Sequence, residues 1–429
     1  MLRVTCLAAV ALVISACGSS DAVTSVNGPP LNDAGTGSAT IHFTRVDLGT
    51  LGGRSSYATA INSSGVVVGW SETGPGETHA FRWTPSSGMV DLGTLAGHQS
   101  SLAVAILDGA GSGVQILGMS SQEAVIWSGS AITPLQIPLI TTASYLHPQA
   151  FNERGEVVGF DAGGGVIQHG WVWSGGDVKA DLSAAIQGGS NEGSANAITS
   201  DGVTLLTTRA QSCTSNPECW RAYLWHASSG FQSLGVPDND LEASVTGLGM
   251  NEARTVVGWT DATTRGAAPY RWTAVTGFSH LPTYSPGGYG YATAVNSGGN
   301  AVGAAQEPVS GSIVATLWPT SGGMQRLSPD DDNSSVAVAI NSNGTIAGWA
   351  SLASGVNHAV IWVPSTQLGK MQAAGLTQSS TVASLPSRAS ASAVSTGNGC
   401  LKEMRAIRSR QALFACVIDA DIAQRSHSR

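Results

Sequence analysis

Acidic side chains cluster at two places in the chain where carboxylates could bind a metal ion. Asp238 and Asp240 flank an asparagine, and Asp330, Asp331 and Asp332 are consecutive. Calcium is a hard cation that takes about six to eight oxygen ligands, so clusters of this composition suit it. Neither cluster has the full ligand spacing of a calcium-binding loop. We therefore expect solvated loops and no cofactor, with calcium at these aspartates as the alternative.

The cysteines point to an oxidising compartment. Cys213 and Cys219 enclose a loop of five residues, and such a pair predicts a disulfide in an exported protein. Zinc is the alternative ligand, although the body of the chain has no second cysteine pair to complete a site. Cys400 and Cys416 lie in a separate C-terminal segment, and their pairing stays open.

The N-terminal segment predicts export. Arg3 precedes an apolar stretch from Leu7 to Ile14, which is too short to cross a bilayer and is followed by small residues. The string Ile14-Ser15-Ala16-Cys17 resembles the bacterial lipobox, which implies a signal peptide over residues 1–16 and a lipid on Cys17. Ordinary secretory cleavage is the alternative. We expect a lipid-anchored envelope protein, at the outer membrane and either periplasmic or cell-surface, with a flexible linker over residues 17–40.

Composition favours an exported all-β protein that does not bind nucleic acid. Only 11% of residues are charged while 54 are glycine, so Ser, Thr and Asn must cover much of the surface. The net charge of -8 opposes binding to phosphate backbones, which requires clustered Lys and Arg. We expect a monomer whose partners are the membrane, through the lipid, and a glycan or protein ligand.

A repeated pattern runs through the body of the chain. Seven strings end in tryptophan, at Trp83, Trp127, Trp173, Trp225, Trp272, Trp318 and Trp362. Upstream of each is an apolar strand and a polar turn such as Asn62-Ser-Ser-Gly65, in which Asn caps the backbone and Gly takes the bend. The regular position of the tryptophans predicts core packing rather than a ring of sugar-stacking platforms. The pattern predicts three strands in each unit: the apolar strand before the turn, a strand after it, and a third strand that ends in tryptophan.

A fourth strand ending in leucine follows every tryptophan except the last. The matching strand, Thr44-Arg-Val-Asp-Leu48, instead precedes the first unit. This displacement predicts a seven-bladed β-propeller of four-stranded blades over residues 41–365, closed by pairing of the N-terminal strand with the last blade. The alternative is an open solenoid, which would need polar capping units at both ends.

These strings also carry a family resemblance. Asp47-Leu-Gly-Thr-Leu-Gly-Gly53, Ala58-Thr-Ala-Ile-Asn62, Val67-Val-Gly-Trp70 and His79-Ala-Phe-Arg-Trp83 resemble the bacterial extracellular repeat family named for its His-Ala-Phe (HAF) motif. The resemblance covers residues 42–363 and is strongest in the first and last units. It implies an exported protein and does not imply a settled activity.

The equivalent histidines His79, His169 and His358 are the remaining candidates for chemistry in the repeats. Three imidazoles could bind zinc if they faced a central channel, but we expect each to cap a strand at the rim. Hydrolase and zinc-protease signatures are missing from the sequence. We expect a non-catalytic binding or scaffold propeller with its ligand on one loop face. The alternative is a carbohydrate-active hydrolase or lyase that uses carboxylates from several blades at the central pocket.

The C-terminal region is compositionally distinct. Residues 366–398 are rich in Ser, Ala, Thr and Gln and predict an unfolded linker. Residues 399–429 form a short tail in which Leu401, Met404 and Ile407 could share one side of a helix. The sequence leaves open whether this tail is unstructured or docks on a partner or an anionic surface.

Overall fold

The computed structural model describes residues 41–108, 113–139, 144–163, 167–186, 189–210, 219–262, 266–327 and 334–376. These residues form 28 β-strands, one short 3₁₀ turn (Pro237–Asn239) and one α-helix. No helix in the described ranges is long and apolar enough to cross a membrane. Cys17, Cys213 and Asp330 to Asp332 lie outside the described residues, as do the predicted signal peptide, N-terminal linker and C-terminal tail.

The strands form seven antiparallel sheets of four strands each, which is the predicted seven-bladed propeller. The first strands of blades one to seven are β2 (Gly52–Ile61), β6 (Ser101–Ile106), β10 (Ser144–Phe151), β14 (Gly189–Ile198), β18 (Ser244–Met250), β22 (Gly290–Val295) and β26 (Ser335–Ile340). The second strands are β3 (Val67–Thr73), β7 (Gln115–Ser120), β11 (Val157–Gly163), β15 (Thr204–Ala210), β19 (Val256–Ala262), β23 (Ala301–Gln306) and β27 (Ile346–Ser351).

Two outer strands complete each sheet. The third strands are β4 (Thr78–Thr84), β8 (Glu123–Ser128), β12 (Ile167–Ser174), β16 (Trp220–His226), β20 (Gly266–Thr273), β24 (Ile313–Trp318) and β28 (Asn357–Pro364). The fourth strands are β5 (Gly88–Asp91), β9 (Ala131–Pro134), β13 (Asp177–Asp181), β17 (Gly230–Ser233), β21 (Gly277–His280), β25 (Gln325–Arg326) and β1 (Phe43–Asp47). Each first strand contacts the first strand of both neighbouring blades, so the seven first strands surround the axis of a closed ring.

The ring is closed as the sequence predicts. Strand β1 pairs antiparallel with β28, with Val46 opposite Ile361. Leu48 N donates to Ala359 O at 2.9 Å, and the leucine that follows every other fourth strand makes the same bond to its own third strand. Because the chain passes directly from β1 into β2, this strand covalently connects the last blade to the first.

The glycine of the Val-Val-Gly pattern is required by a bulge in the neighbouring strand. Every first strand shifts register near its middle, as between Gly247 and Gly249 in β18. A Cβ atom added to Gly258 of β19 would overlap the carbonyl oxygen of Thr246, and five further blades show the same overlap at the equivalent glycine. Glycine lets the second strand pass this bulge without displacing it.

The recurring tryptophans pack between blades, as predicted. Six of the seven are buried, and only Trp225 of blade four is partly exposed. The indole N–H groups of Trp272 and Trp318 donate to backbone carbonyls of the preceding blade, at Leu234 and Pro282. Because no blade can bury its faces alone, these indoles contribute to packing between blades as well as within them.

The turn asparagines connect blades in addition to capping their own turns. Asn341 Oδ1 accepts the N–H of Thr345 at 3.0 Å, which is the predicted cap. Its Nδ2 donates to Asn62 O at 3.0 Å, across the junction between the last blade and the first. Asn251, Asn296 and Asn152 make the same type of bond to the next blade.

A short helix corrects the predicted boundary of the C-terminal linker. Residues Ser365–Ala373 form α1, and the described chain continues to Leu376. Met371 and Leu376 are buried in the apolar cluster between the last blade and the first. The segment was predicted to be unfolded because its apolar residues are few among Ser, Thr, Gln and Ala. Met371 and Leu376 nevertheless hold this segment in place, because they pack against strands that are distant in sequence.

Candidate functional site

The two faces of the ring differ in the connections they carry. One face, here the loop face, carries the loops from each fourth strand to the next blade and from each second strand to the third. The opposite face, here the turn face, carries the turns within each first pair and each last pair of strands, as well as α1. Phe43 begins β1 opposite Pro364, next to α1, so the described chain starts and ends at the turn face.

Exposed apolar side chains are concentrated on the loop face. Seven large apolar residues are exposed among those described, and four of them lie on loop-face connections or at the start of a first strand: Leu139, Tyr145, Leu241 and Val309. Leu241 is 71% exposed and Val309 98% exposed. The four side chains lie at or next to connections in different parts of the ring, and loops positioned by a rigid scaffold commonly carry recognition.

The three equivalent histidines lie at the loop-face rim, and each pairs with an aspartate of its own blade. His79 Nδ1 is 2.8 Å from Asp91 Oδ2, and His169 Nδ1 is 3.0 Å from Asp181 Oδ2. In the last blade, His358 Nδ1 is 2.9 Å from Asp47 Oδ2, so here the pair also joins β28 to the closing strand β1. These histidines belong to separate blades and do not converge on a central metal site.

Asp47 shows how the closing strand is fixed electrostatically. Partial burial of its carboxylate raises the pKa, but hydrogen bonds from His358 and from the backbone N–H of Gly49 outweigh that effect. The charges of His358 and Arg45 act in the same direction, and the pKa of Asp47 is lowered overall. The ionised form of Asp47 is therefore favoured in the closed ring.

The structure gives Asp238 and Asp240, the candidate ligands of the alternative calcium site, other roles. Asp238 Oδ2 is 3.1 Å from His280 Nε2, and Asp240 Oδ1 accepts the backbone N–H of Glu242 at 3.0 Å. Asp238 and Asn239 have positive φ values of 52° and 57°, a conformation that Asp and Asn tolerate better than most residues. Among the described residues, no group of three potential ligands could hold a metal ion.

A buried arginine shapes the loop that carries Leu241. Arg221 donates through Nη2 to Leu241 O and through Nη1 to Ala243 O, and Nη1 also contacts Cys219 Sγ at 2.8 Å. Burial lowers the pKa of Arg221, and the charges of Tyr223, Glu242 and Asp240 partly oppose that shift. Cys219 is fully buried, while Cys213 lies outside the described residues, so their disulfide stays a prediction.

Aromatic side chains fill much of the space near the axis. In each blade, one residue of the first strand pairs with one residue of the second strand at an equivalent position, as Tyr57 does with Trp70. The rings of this pair stack with centroids 4.3 Å apart, and Trp349 of the last blade contacts Tyr57 edge-on. Trp259 and Tyr291 belong to the same buried cluster. The sequence signal for this cluster is the tryptophan after Val-Val-Gly, as at Trp70 and Trp259.

The axial layer carries no carboxylate pair that could perform glycoside chemistry. The other pairs of equivalent residues in this layer are Leu102–Met119, His147–Phe160, Ser194–Thr207, Thr246–Trp259, Tyr291–Ala304 and Val336–Trp349. These fourteen described residues include one imidazole and no acid. Asp161 follows Phe160 in β11, but it is fully buried. The alternative with converging carboxylates therefore gains no support from the described part of this layer.

Comparisons with known proteins support the fold and no more. No protein-family model and no curated protein matches the chain. Among solved structures, it is similar to a puromycin hydrolase S511A mutant complexed with PGG, at 13% identity and a TM-score of 0.50, over 72% of this chain and 53% of that one. The chain thus spans about half the length of that hydrolase.

Two further solved structures have lower scores. A virginiamycin B lyase from Staphylococcus aureus is 7% identical, with a TM-score of 0.43 over 76% of this chain and 100% of that one. The BP39L lectin from Burkholderia pseudomallei is 11% identical, with a TM-score of 0.42 over 73% of this chain and 96% of that one. Proteins similar in structure to this chain thus include both enzymes and a lectin. At such identities, the likeness does not assign an activity.

Proposed function

We propose that this protein is a non-catalytic binding or scaffold module of the bacterial cell envelope, anchored by a lipid on Cys17. Its ligand, a glycan or a protein, contacts the loop face. The observation that carries this proposal is that four of the seven exposed large apolar side chains in the described residues lie on that face, with Leu241 71% exposed and Val309 98% exposed. Loops held by a repeated scaffold commonly carry recognition in proteins of this architecture.

The position of the chain ends supports the same assignment. The described chain enters at Phe43 on the turn face, and an anchor at Cys17 would precede this point by 26 residues (43 minus 17). The loop face lies on the opposite side of the ring, so a tether attached to β1 does not emerge among its loops. Such a tether would hold the turn face towards the membrane and leave the loop face accessible to a ligand on the side away from the membrane.

The test is binding of the purified full-length protein to an array of glycans and envelope fragments. A Leu241→Ser, Val309→Ser double variant should bind any loop-face ligand about tenfold more weakly or worse, because burying a Val or Leu side chain against a ligand contributes about 1.5–3 kcal/mol. Val275 provides a matched control, since it is 93% exposed but lies in a turn-face turn.

The outcomes separate the two functional classes. Saturable binding that is lost in the double variant and retained in Val275→Ser would support the binding module. Equal loss in both variants would show that the loop face is not the recognition surface. Release of product from a bound glycan would overturn the non-catalytic assignment and favour a hydrolase or lyase.

A further inference from the structure

A cavity lies between the first and second blades. Its volume is about 150 Å³, and its lining includes the apolar side chains of Leu92, Val114 and Ile116, the ring of Trp127, and Arg82. Arg82 belongs to β4 of blade one, and Trp127 belongs to β8 of blade two. A cavity of this size and composition can hold a molecule about as large as benzene.

Two hydrogen-bond donors at this cavity lack acceptors. The indole Nε1 of Trp127 and the Nε of Arg82 are buried without a hydrogen-bond partner, and Trp127 is only 2% exposed. A buried indole N–H usually finds an acceptor, since leaving it unpaired forfeits its hydration. The guanidinium also brings a positive charge to walls that are otherwise largely apolar.

Another junction of the ring has the same two residue types at equivalent positions, and there the indole donates a hydrogen bond. Arg271 and Trp318 hold the same positions at the junction of blades five and six. There, Arg271 Nη2 donates to Trp318 O at 2.9 Å, and Trp318 Nε1 donates to Pro282 O at 2.8 Å. The Nε of Arg271 is unpaired, like that of Arg82, but its partner tryptophan is satisfied. The junction of blades one and two thus differs from that of blades five and six in leaving its indole N–H unpaired, as are those of the equivalent Trp173 and Trp362.

Local sequence explains why this junction stays open. Gly113 and Gly129 line the cavity, and a Cβ atom added to either would meet no atom within 4 Å. Gly129 lies in a hairpin with two residues between Ser128 and Ala131, whereas the equivalent hairpin of blade one has three residues between Thr84 and Gly88. The shorter last hairpin of the second blade and the missing side chains of these two glycines leave part of this space unfilled.

We propose that this cavity binds a small carboxylate with an apolar body, of the size of benzoate. The apolar body would contact Leu92, Val114, Ile116 and the indole ring, while the carboxylate accepts hydrogen bonds from Arg82 and Trp127. Guanidinium and carboxylate groups form charge-assisted hydrogen bonds, and a second donor fixes the orientation of the anion. The cavity lies on the turn-face side between two blades, so this site is independent of the proposed recognition by the loop face.

The test uses the purified full-length protein labelled with 5-fluorotryptophan and titrated with benzoate. One fluorine resonance, identified by its loss in Trp127→Phe, should shift saturably with benzoate. Benzyl alcohol, which is similar in shape but uncharged, and acetate, which lacks the apolar body, should each bind at least about tenfold more weakly. Arg82→Gln should weaken benzoate binding by about tenfold or more, whereas Arg271→Gln should leave it unchanged.

Further variants keep the test decisive. If Arg82→Gln does not fold, Val114→Phe should fill the cavity and abolish the benzoate-induced shift in a protein with an otherwise native spectrum. The proposal is overturned if benzoate at millimolar concentration leaves the Trp127 resonance unshifted, or if benzyl alcohol binds as tightly as benzoate. Equal binding by Val114→Phe and the native protein would also overturn it, because the ligand would then occupy another site.

Discussion

The pairing of β1 with β28 can be tested with two neighbouring proline substitutions. Leu48 N donates to Ala359 O, and inward and outward N–H groups alternate along an antiparallel strand, so the N–H of Val46 faces Ile361 and that of Arg45 faces away. Val46→Pro therefore removes a ladder bond. Arg45→Pro, at an outward position of an edge strand, does not.

The magnitude follows from what each change leaves unpaired. Ile361 is fully buried, and depriving its carbonyl of a partner costs about 1–3 kcal/mol. If β1 instead separates, water can hydrate this carbonyl, but Leu48 loses its buried position at a cost of about 1.5–3 kcal/mol. By either route we expect Val46→Pro to lower the free energy of unfolding by about 1.5–3 kcal/mol, a substantial fraction of the stability typical of folded proteins.

Urea unfolding followed by tryptophan fluorescence measures this difference. Arg45→Pro should cost about 1 kcal/mol or less by the same reasoning, and Arg45→Ala separates the loss of its side chain from the effect of proline. If Val46→Pro and Arg45→Pro unfolded at the same urea concentration, β1 would not be held by the ladder described here, and the account of ring closure would be refuted.

Three further predictions concern the bulge, the turns and the closing carboxylate. Gly258→Ala should destabilise the protein by about 1–3 kcal/mol in urea unfolding, because the added Cβ overlaps the carbonyl of Thr246. Asn341→Asp retains the turn cap but loses the donor to Asn62, so the free energy of unfolding should fall by about 1–3 kcal/mol, and an unchanged value would exclude a stabilising role for that bond. Asp47→Asn should destabilise the protein at neutral pH. Because the pKa of Asp47 is lowered in the folded state, its stabilisation is present above the ordinary aspartate pKa of 3.8 and is lost as the pH falls below that value through the lower folded-state pKa. The free energies of unfolding of the native protein and of Asp47→Asn should therefore converge as the pH is lowered from neutral to acidic. A difference that stays constant with pH would contradict this role.

The architecture can be predicted from the amino-acid sequence, because the packing requirement repeats along the chain. Seven tryptophan strings and a leucine strand displaced to the front specify four-stranded units and the strand that closes the ring. The glycine after Val-Val is also apparent in the sequence, but the sequence does not show why glycine is required there. That reason is the carbonyl of a bulged neighbour such as Thr246, which no local pattern reveals.

Which side chains meet between blades becomes visible only in the folded ring. Asn341 caps its own turn by a local rule, yet its contact with Asn62 joins residues at opposite ends of the ring. The order of α1 depends on Met371 packing against distant strands, and a composition rich in Ser and Ala concealed that contact. The proposed carboxylate-binding cavity likewise lies between two blades, because Arg82 of one and Trp127 of the other line the same space. Periodicity encodes each sheet because hydrogen bonding and alternation act over a few residues. Contacts between blades depend on how complete sheets stack, which the sequence specifies only through the whole ring.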